Sequence, residues 1–181
     1  MPKTVRLGSN LSVYRTIVEE AAAKSQKSLE AHRTPKPDGQ AGFVLHHDPD
    51  RVSFKEAMIA IAFGGIYLEA LMALVACEAK KAGRRYISNS KKLPRYGGKL
   101  QTLGVKSEEL IEEANRFNDA RDDLIHEKTY EVTFGPDGVG RGTAIPLFVA
   151  QEEAAMAVKL IRQVTDELRR IHPSNKHGNA R

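Results

Sequence analysis

Apolar residues recur with helical spacing along most of this chain, and the breaks between them divide it into four long predicted helices. The first helix is predicted over residues 10–32, where one side carries Leu11, Tyr14, Ile17, Val18, Ala21 and Ala22. Pro35 and Pro37 follow it, and proline cannot continue a helix. The Gly/Pro/Asp-rich stretch that ends near Pro49 therefore reads as a loop.

The second predicted helix, residues 57–77, is apolar on nearly every side, with Glu69 as its only charge. The pattern Ser53-Phe54-Lys55-Glu56 is a capping box and places the start of this helix. A helix apolar all round fits either the centre of a bundle or a membrane span. Glu69 at mid-span and the adjacent Gly64 and Gly65 favour the bundle centre, and we expect no membrane partner.

The third predicted helix, residues 107–128, carries an arginine where packing asks for an apolar side chain. Its apolar stripe consists of Leu110, Ile111, Ala114, Phe117, Leu124 and Ile125. Arg121 falls near the middle of that stripe when residues turn by about 100° each. A charge that faces a core needs a partner or a ligand. Glu69 of the second helix is the natural candidate for a structural ion pair.

The remaining segments complete an all-α fold with a small insertion. Residues 129–134 alternate as a strand does, Gly135-Pro136-Asp137-Gly138 is a turn, and residues 143–149 return as an edge strand because of Pro146. The last helix covers residues 150–171. We predict an up-down bundle of four to five helices with a β-hairpin before the last one. It forms one domain, residues 1–172, with a basic loop at 79–106, the hairpin at 129–149 and a disordered tail at 173–181.

Charge is unevenly distributed, although the net charge is only +5 over 181 residues. Residues 79–106 hold nine basic side chains and no acidic one, with two tyrosines among them. Such a segment suits phosphate contacts, with tyrosines to stack on unpaired bases. The candidates for RNA binding are Arg84, Arg85, Lys91, Lys92, Arg95 and Tyr96. The alternative is a solvated loop that only keeps the protein soluble.

Cysteine and histidine usage points away from disulfide and metal chemistry. The single cysteine, Cys77, has no partner for an internal disulfide, and no apolar leader opens the chain, so we expect a cytoplasmic protein. The nearest metal candidate is His46-His47 beside Asp48 and Asp50. Adjacent histidines seldom ligate one metal. The sequence therefore predicts no metal and no cofactor.

Arg121, Asp122 and His126 together suit metal-free cleavage of RNA. Histidine titrates near neutral pH and can take or give the proton of a ribose oxygen. Arginine stabilises charge on a phosphate, and Asp122, one turn before His126, can orient the imidazole. On a regular helix Arg121 and His126 point about 140° apart. Two chains related by a two-fold axis would complete such a site.

This segment resembles the HEPN (higher eukaryote and prokaryote nucleotide-binding) superfamily. The resemblance rests on the Arg-x4-His core of Arg121 and His126 near the end of the third helix, and on the apolar helix with Glu69. It implies a four-helix bundle and a metal-independent endoribonuclease, often a toxin or defence effector, whose homodimer interface is the active cleft. RNA and a cognate antitoxin or regulatory protein would then be the partners. Catalytic members often have asparagine where this chain has Asp122.

Three alternatives stay open at the level of sequence. One is a non-catalytic HEPN-like helical module that binds nucleotide, nucleic acid or a protein partner through the same cleft. Another is a small helical regulator whose basic loop binds nucleic acid. The third is purely structural: Arg121 pairs with Glu69 inside the bundle, and His126 is a helix C-terminal residue that the helix dipole favours.

Overall fold

Five α-helices and two short hairpins make up the residues that the computed structural model describes, which are 10–46, 48–81, 95–125, 133–134, 140–141 and 147–173. The helices are α1 (Leu11–Ala31), α2 (Val52–Lys81), α3 (Tyr96–Thr102), α4 (Glu108–Ile125) and α5 (Leu147–Ile171). The strands are β1 (Arg33–Pro35), β2 (Phe43–Leu45), β3 (Thr133–Phe134) and β4 (Gly140–Arg141), paired antiparallel as β1–β2 and β3–β4. The predicted all-α fold with a hairpin before the last helix is confirmed.

Helix α2 is the centre of the fold, and its apolar sequence serves that position. Its side chains pack against both α1 and α5. The Ser25 hydroxyl of α1 donates to the backbone oxygen of Ser53, 2.7 Å away, and the hydroxyls of Tyr67 and Thr165 lie 2.8 Å apart in the contact with α5. Among the described residues, α2 alone has the length and composition of a membrane span, and half of its most apolar stretch is buried here.

The start of α2 differs from the predicted capping box. Asp48, four residues upstream of the helix, accepts a hydrogen bond from the backbone nitrogen of Ser53 at 3.2 Å. Desolvation raises the pKa of Asp48, but the hydrogen bonds from Ser53 and the charge of His32 outweigh it and lower that pKa. The Ser53 hydroxyl instead accepts from the side-chain nitrogen of Gln151 at 2.9 Å. Ser53 therefore joins α2 to α5.

The predicted loop between α1 and α2 contains a hairpin. Strands β1 and β2 pair with the register Arg33↔Leu45, Thr34↔Val44 and Pro35↔Phe43. The guanidinium of Arg33 lies 4.6 Å from the ring centroid of Phe43. Strands of three residues that include a proline show too little alternation to be recognised from sequence.

Helix α3 is a second correction, because it lies within residues 79–106, which were predicted to form a loop. The helix has no side-chain cap from its own N-terminal residue, Arg95. The side-chain oxygen of Asn115 in α4 accepts from the backbone nitrogen of Gly97 at 2.9 Å instead. A Cβ on Gly97 would lie 2.6 Å from the Asn115 amide nitrogen, so glycine permits this close approach. Residues 82–94 of the predicted basic loop lie outside the described residues.

Within the described residues, the hairpin before the last helix pairs two residues on each strand. Thr133 pairs with Arg141 and Phe134 with Gly140, so the return strand precedes the predicted residues 143–149. Helix α5 begins at Leu147, three residues before the predicted start. Helix α4 begins as expected, with the hydroxyl of Ser107 accepting from the backbone nitrogen of Leu110 at 3.3 Å. The rest of the hairpin and the predicted tail, residues 174–181, lie outside the described residues.

Candidate functional site

The side chain of Arg121 lies against α2 at a position where α2 has no side chain. A Cβ built on Gly65 would overlap Cδ and Nε of Arg121 and lie 2.9 Å from the hydroxyl of Tyr96. The preceding residue, Gly64, similarly faces the ring of Phe117, one turn before Arg121 in α4. The glycine pair therefore lets the apolar stripe of α4, including its arginine, approach the backbone of α2.

The guanidinium of Arg121 is held by carboxylates from two helices. Its Nη1 lies 3.2 Å from Oε1 of Glu69 in α2 and 3.5 Å from Oδ1 of the adjacent Asp122. The Arg121 side chain is 19% exposed and that of Glu69 is 43% exposed. The structure thus brings the predicted pair together at the edge of the bundle, not in its interior. Nε of Arg121 is buried and has no hydrogen-bond partner.

Tyr96, predicted to stack on RNA bases, has a different position. It is 1% exposed, and its ring packs 6.4 Å from that of Phe117 between centroids. Its hydroxyl donates to Oε1 of Glu69 at 3.3 Å. Burial, with the negative charge of Glu69, raises the pKa of the Tyr96 phenol. The stacking prediction is wrong for Tyr96 because a ring covered by protein presents no face to a base.

Both carboxylate oxygens of Asp122 have a partner among the described residues. Oδ1 faces Arg121, and Oδ2 accepts from the side-chain nitrogen of Asn118 at 2.9 Å. Asn118 is buried, so it fixes the carboxylate one turn further along α4. His126, the predicted catalytic histidine, lies outside the described residues, and the predicted contact between Asp122 and its imidazole stays a prediction.

The predicted RNA-binding cations are described in part. Arg95 is exposed and pairs with Asp119 of α4 at 3.3 Å. Lys99, one turn into α3, lies 5.5 Å from the ring centroid of Tyr96. Arg95 directly precedes Tyr96 at the start of α3, and Lys99 lies within that helix, so positive charge lies next to Tyr96. The other candidates, Arg84, Arg85, Lys91 and Lys92, lie outside the described residues.

Gly65, Asn118 and the contact of Tyr96 with Glu69 were not predicted from the sequence. The signal for Gly65 was present, because glycine inside a helix costs about 1 kcal/mol relative to alanine and needs a packing reason. Asn118 and Asp122 have the i,i+4 spacing of a side-chain pair on one helix. The role of Tyr96 gave no such signal, because it depends on the docking of α3 against α4, which no local pattern encodes.

A separate cleft of about 260 Å³ lies between α2, α4 and α5. Its wall includes Ile61, Arg116 and Glu153. The Glu153 side chain is 15% exposed, its Oε2 is buried without a hydrogen-bond partner, and its Oε1 is 3.9 Å from Nε of Arg116. Burial raises the pKa of Glu153, while Arg116 opposes that shift.

The residues of the predicted metal candidate have other partners. His46 forms a hydrogen bond of 2.9 Å with the hydroxyl of Thr34, and Asp48 caps α2. Within the described residues, no three His, Cys, Asp or Glu side chains are grouped so as to hold a metal ion. His47 lies outside those residues.

Arg121, Glu69, Asp122, Asn118 and Tyr96 form the ionic cluster, which holds the guanidinium of Arg121 in place at the surface edge of α2, α3 and α4. Such a guanidinium can pair with an anionic oxygen that arrives from solvent. Comparison with known proteins adds no further constraint, because no family model, no curated protein and no solved structure matches this chain.

Proposed function

We propose that this protein is a metal-independent endoribonuclease of the HEPN type, a toxin or defence effector that cleaves RNA at a dimer-interface cleft. The observation that carries the proposal is the fixed position of Arg121. Within the described residues, both of its ion pairs use Nη1. The guanidinium fork has a second terminal nitrogen, Nη2, which can donate a hydrogen bond to a phosphate oxygen.

The proposed reaction is a transesterification within the RNA strand. His126 takes the proton of a ribose 2′-hydroxyl, and that oxygen forms a bond to the adjacent phosphorus. The bond from phosphorus to the 5′-oxygen breaks, and the leaving oxygen receives a proton from an imidazolium. The products are a 2′,3′-cyclic phosphate and a 5′-hydroxyl, so the reaction balances with RNA alone. Arg121 stabilises the charge that builds on the phosphoryl oxygens.

Fixing Arg121 before substrate arrives is what makes the cluster useful for catalysis. A guanidinium already oriented by protein groups needs little reorganisation when charge develops on the phosphate. The two carboxylates carry one more negative charge than the guanidinium balances. Lys99 on α3 supplies compensating positive charge beside the cluster, whereas the charge of Arg95 is balanced by Asp119.

A homodimer supplies the complete cleft in this proposal. Arg121 and His126 would diverge by about 140° on one regular helix, so a second copy is needed to place an arginine and a histidine around one phosphate. Light scattering on a sizing column should give a mass of about twice 20.0 kDa. A monomer at assay concentration would contradict this arrangement.

The deciding experiment is RNA cleavage in excess EDTA by the wild type, Arg121→Ala and His126→Ala. Arg15→Ala and His46→Ala are the matched controls, because Arg15 pairs with Glu19 on α1 and His46 lies in the first hairpin. We expect activity in the wild type and both controls, and a loss of at least 100-fold in the two site variants. Full activity of folded His126→Ala would overturn the mechanism.

The second candidate is a non-catalytic module that binds nucleotide, nucleic acid or a protein partner. Asp122 favours it, because a carboxylate 3.5 Å from Nη1 adds negative charge where a phosphate would bind. The same assay decides between the two if RNA binding is measured alongside cleavage. Binding that weakens in Arg121→Ala, with no cyclic-phosphate product from any variant, would favour the module.

A further inference from the structure

We infer that Tyr96 is a positioning residue for Arg121 and acts through Glu69, an inference that rests on the proposed function. The sequence pattern assigned Tyr96 to RNA binding and gave it no contact with Glu69. The ionic cluster adds a buried phenol from α3 whose hydroxyl reaches the carboxylate that holds the guanidinium.

The geometry centres on one atom, Oε1 of Glu69. It accepts the hydroxyl of Tyr96 at 3.3 Å and faces Nη1 of Arg121 at 3.2 Å. Two donors from two different helices therefore fix the same oxygen. Because a carboxylate that accepts a hydrogen bond from a fixed donor loses rotational freedom, Tyr96 restricts where Glu69 can hold Arg121.

The exposed fractions of the Glu69 and Tyr96 side chains indicate which of the two is held in place by packing. Glu69 is 43% exposed, so without a second donor its carboxylate can turn into water at little cost. Tyr96 is 1% exposed and packs against Phe117, so its ring cannot move with the Glu69 carboxylate. The phenol therefore anchors the carboxylate, and the carboxylate anchors the guanidinium.

The same burial excludes two other roles for Tyr96. A covered ring cannot stack on a nucleobase, and a phenol with a raised pKa is a poor proton donor to a reacting oxygen at neutral pH. A phenol that stays protonated remains a donor to Glu69 over the whole working range of pH.

The test is Tyr96→Phe, which keeps the ring and removes the hydroxyl. Tyr67→Phe is the matched control, because it also removes one buried hydroxyl, the one that bonds Thr165 away from the ionic cluster. We expect kcat for RNA cleavage to fall about tenfold in Tyr96→Phe with KM unchanged, as for the loss of one hydrogen bond to a charged group. Tyr67→Phe should retain the wild-type kcat.

A second readout does not depend on catalysis. The side-chain Nε–H signal of Arg121, assigned by its absence in Arg121→Lys, should exchange slowly with water because that nitrogen is buried. In Tyr96→Phe we expect the exchange to be at least tenfold faster, and in Tyr67→Phe unchanged. If the wild type cleaves no RNA but this difference is found, the proposed function fails while Tyr96 still positions Arg121.

Two results would overturn the inference. One is an unchanged Arg121 signal and an unchanged kcat in Tyr96→Phe. The other is equal loss in Tyr96→Phe and Tyr67→Phe, which would mean that both hydroxyls act only on global stability. Adding Glu69→Ala to Tyr96→Phe should reduce kcat no further than Glu69→Ala alone, since Tyr96 acts through that carboxylate.

Discussion

Arg121 of α4 occupies the space that a side chain on Gly65 of α2 would fill. Gly65 lies one helical turn before Glu69, so the open position and the carboxylate share one face of α2. The Arg121 side chain therefore lies over the backbone of α2 at Gly65, and its Nη1 is 3.2 Å from Oε1 of Glu69. This relationship makes the ion pair sensitive to substitutions that carry no charge.

Gly65→Ala should destabilise the protein even though alanine is the better helix former. The new methyl group overlaps Cδ and Nε of Arg121, which is held at its far end, so the arginine must leave Glu69. We expect the free energy of unfolding to fall by about 1–3 kcal/mol, as for other overpacked positions. Urea unfolding followed by circular dichroism measures it.

Gly64→Ala is the control for that substitution. Its Cβ would lie 3.1 Å from Cζ of Phe117 and 3.3 Å from Cβ of Ala157, contacts that small shifts can relieve. The gain in helix propensity, about 1 kcal/mol, then offsets the strain, and stability should stay within about 1 kcal/mol of the wild type. Equal losses at Gly64 and Gly65 would show that α2 tolerates no side chain there and that Arg121 is not the cause.

Removing Arg121 should change the free energy of unfolding less than removing Glu69 does. Arg121→Met leaves a hydrated carboxylate and fills the space over Gly65 with an apolar chain, so we expect a change below about 1 kcal/mol in the free energy of unfolding. Glu69→Ala leaves the largely buried Arg121 without its closest acceptor, at a cost of about 1–2 kcal/mol. Thermal and urea unfolding of both variants test the order, and a larger loss in Arg121→Met would reverse it.

The four long helices and the Arg121–Glu69 proximity could be predicted because both depend on patterns within single segments. The apolar stripe of α4 shows Arg121 to be misplaced, and residues 57–77 of α2 contain one charge, Glu69, that can meet it. The docking of α3 could not be predicted, since it depends on Asn115 accepting from Gly97, and a Gly-Gly pair reads as a break. With α3 unrecognised, the burial of Tyr96 and its contact with Glu69 were also unpredictable.

Glu153→Gln should stabilise the protein at neutral pH. Burial raises the pKa of Glu153 above its unfolded value, so the carboxyl favours folding while protonated and opposes it once ionised. Below the unfolded pKa the protonated carboxyl of Glu153 contributes favourably to the free energy of unfolding. That contribution is lost as pH rises through the folded pKa, so it is absent at pH 7. We expect the variant to melt about 1–3 °C above the wild type at pH 7, with the difference shrinking toward pH 4.

The neighbouring Glu152→Gln provides the control, because Glu152 is exposed on the same turn of α5. Its melting temperature should follow the wild type across pH 4–8. If Glu153→Gln melts below the wild type at pH 7, the contact of 3.9 Å with Arg116 stabilises the fold more than burial of the charge opposes it.

Asn115→Ala should loosen α3 without disrupting the rest of the bundle. The backbone nitrogen of Gly97 is in the first turn of α3, where no carbonyl of its own helix can accept its hydrogen, and Asn115 fills that role from α4. Its loss leaves a buried donor unsatisfied, at a cost of about 1–2 kcal/mol. Hydrogen exchange measured by mass spectrometry should show faster exchange over residues 96–102, while α2 and α5 keep their protection. Asn115→Asp, which retains an acceptor oxygen at the same place, should restore most of the protection. Uniform loss of protection in all helices would mean that α3 unfolds only together with the whole domain.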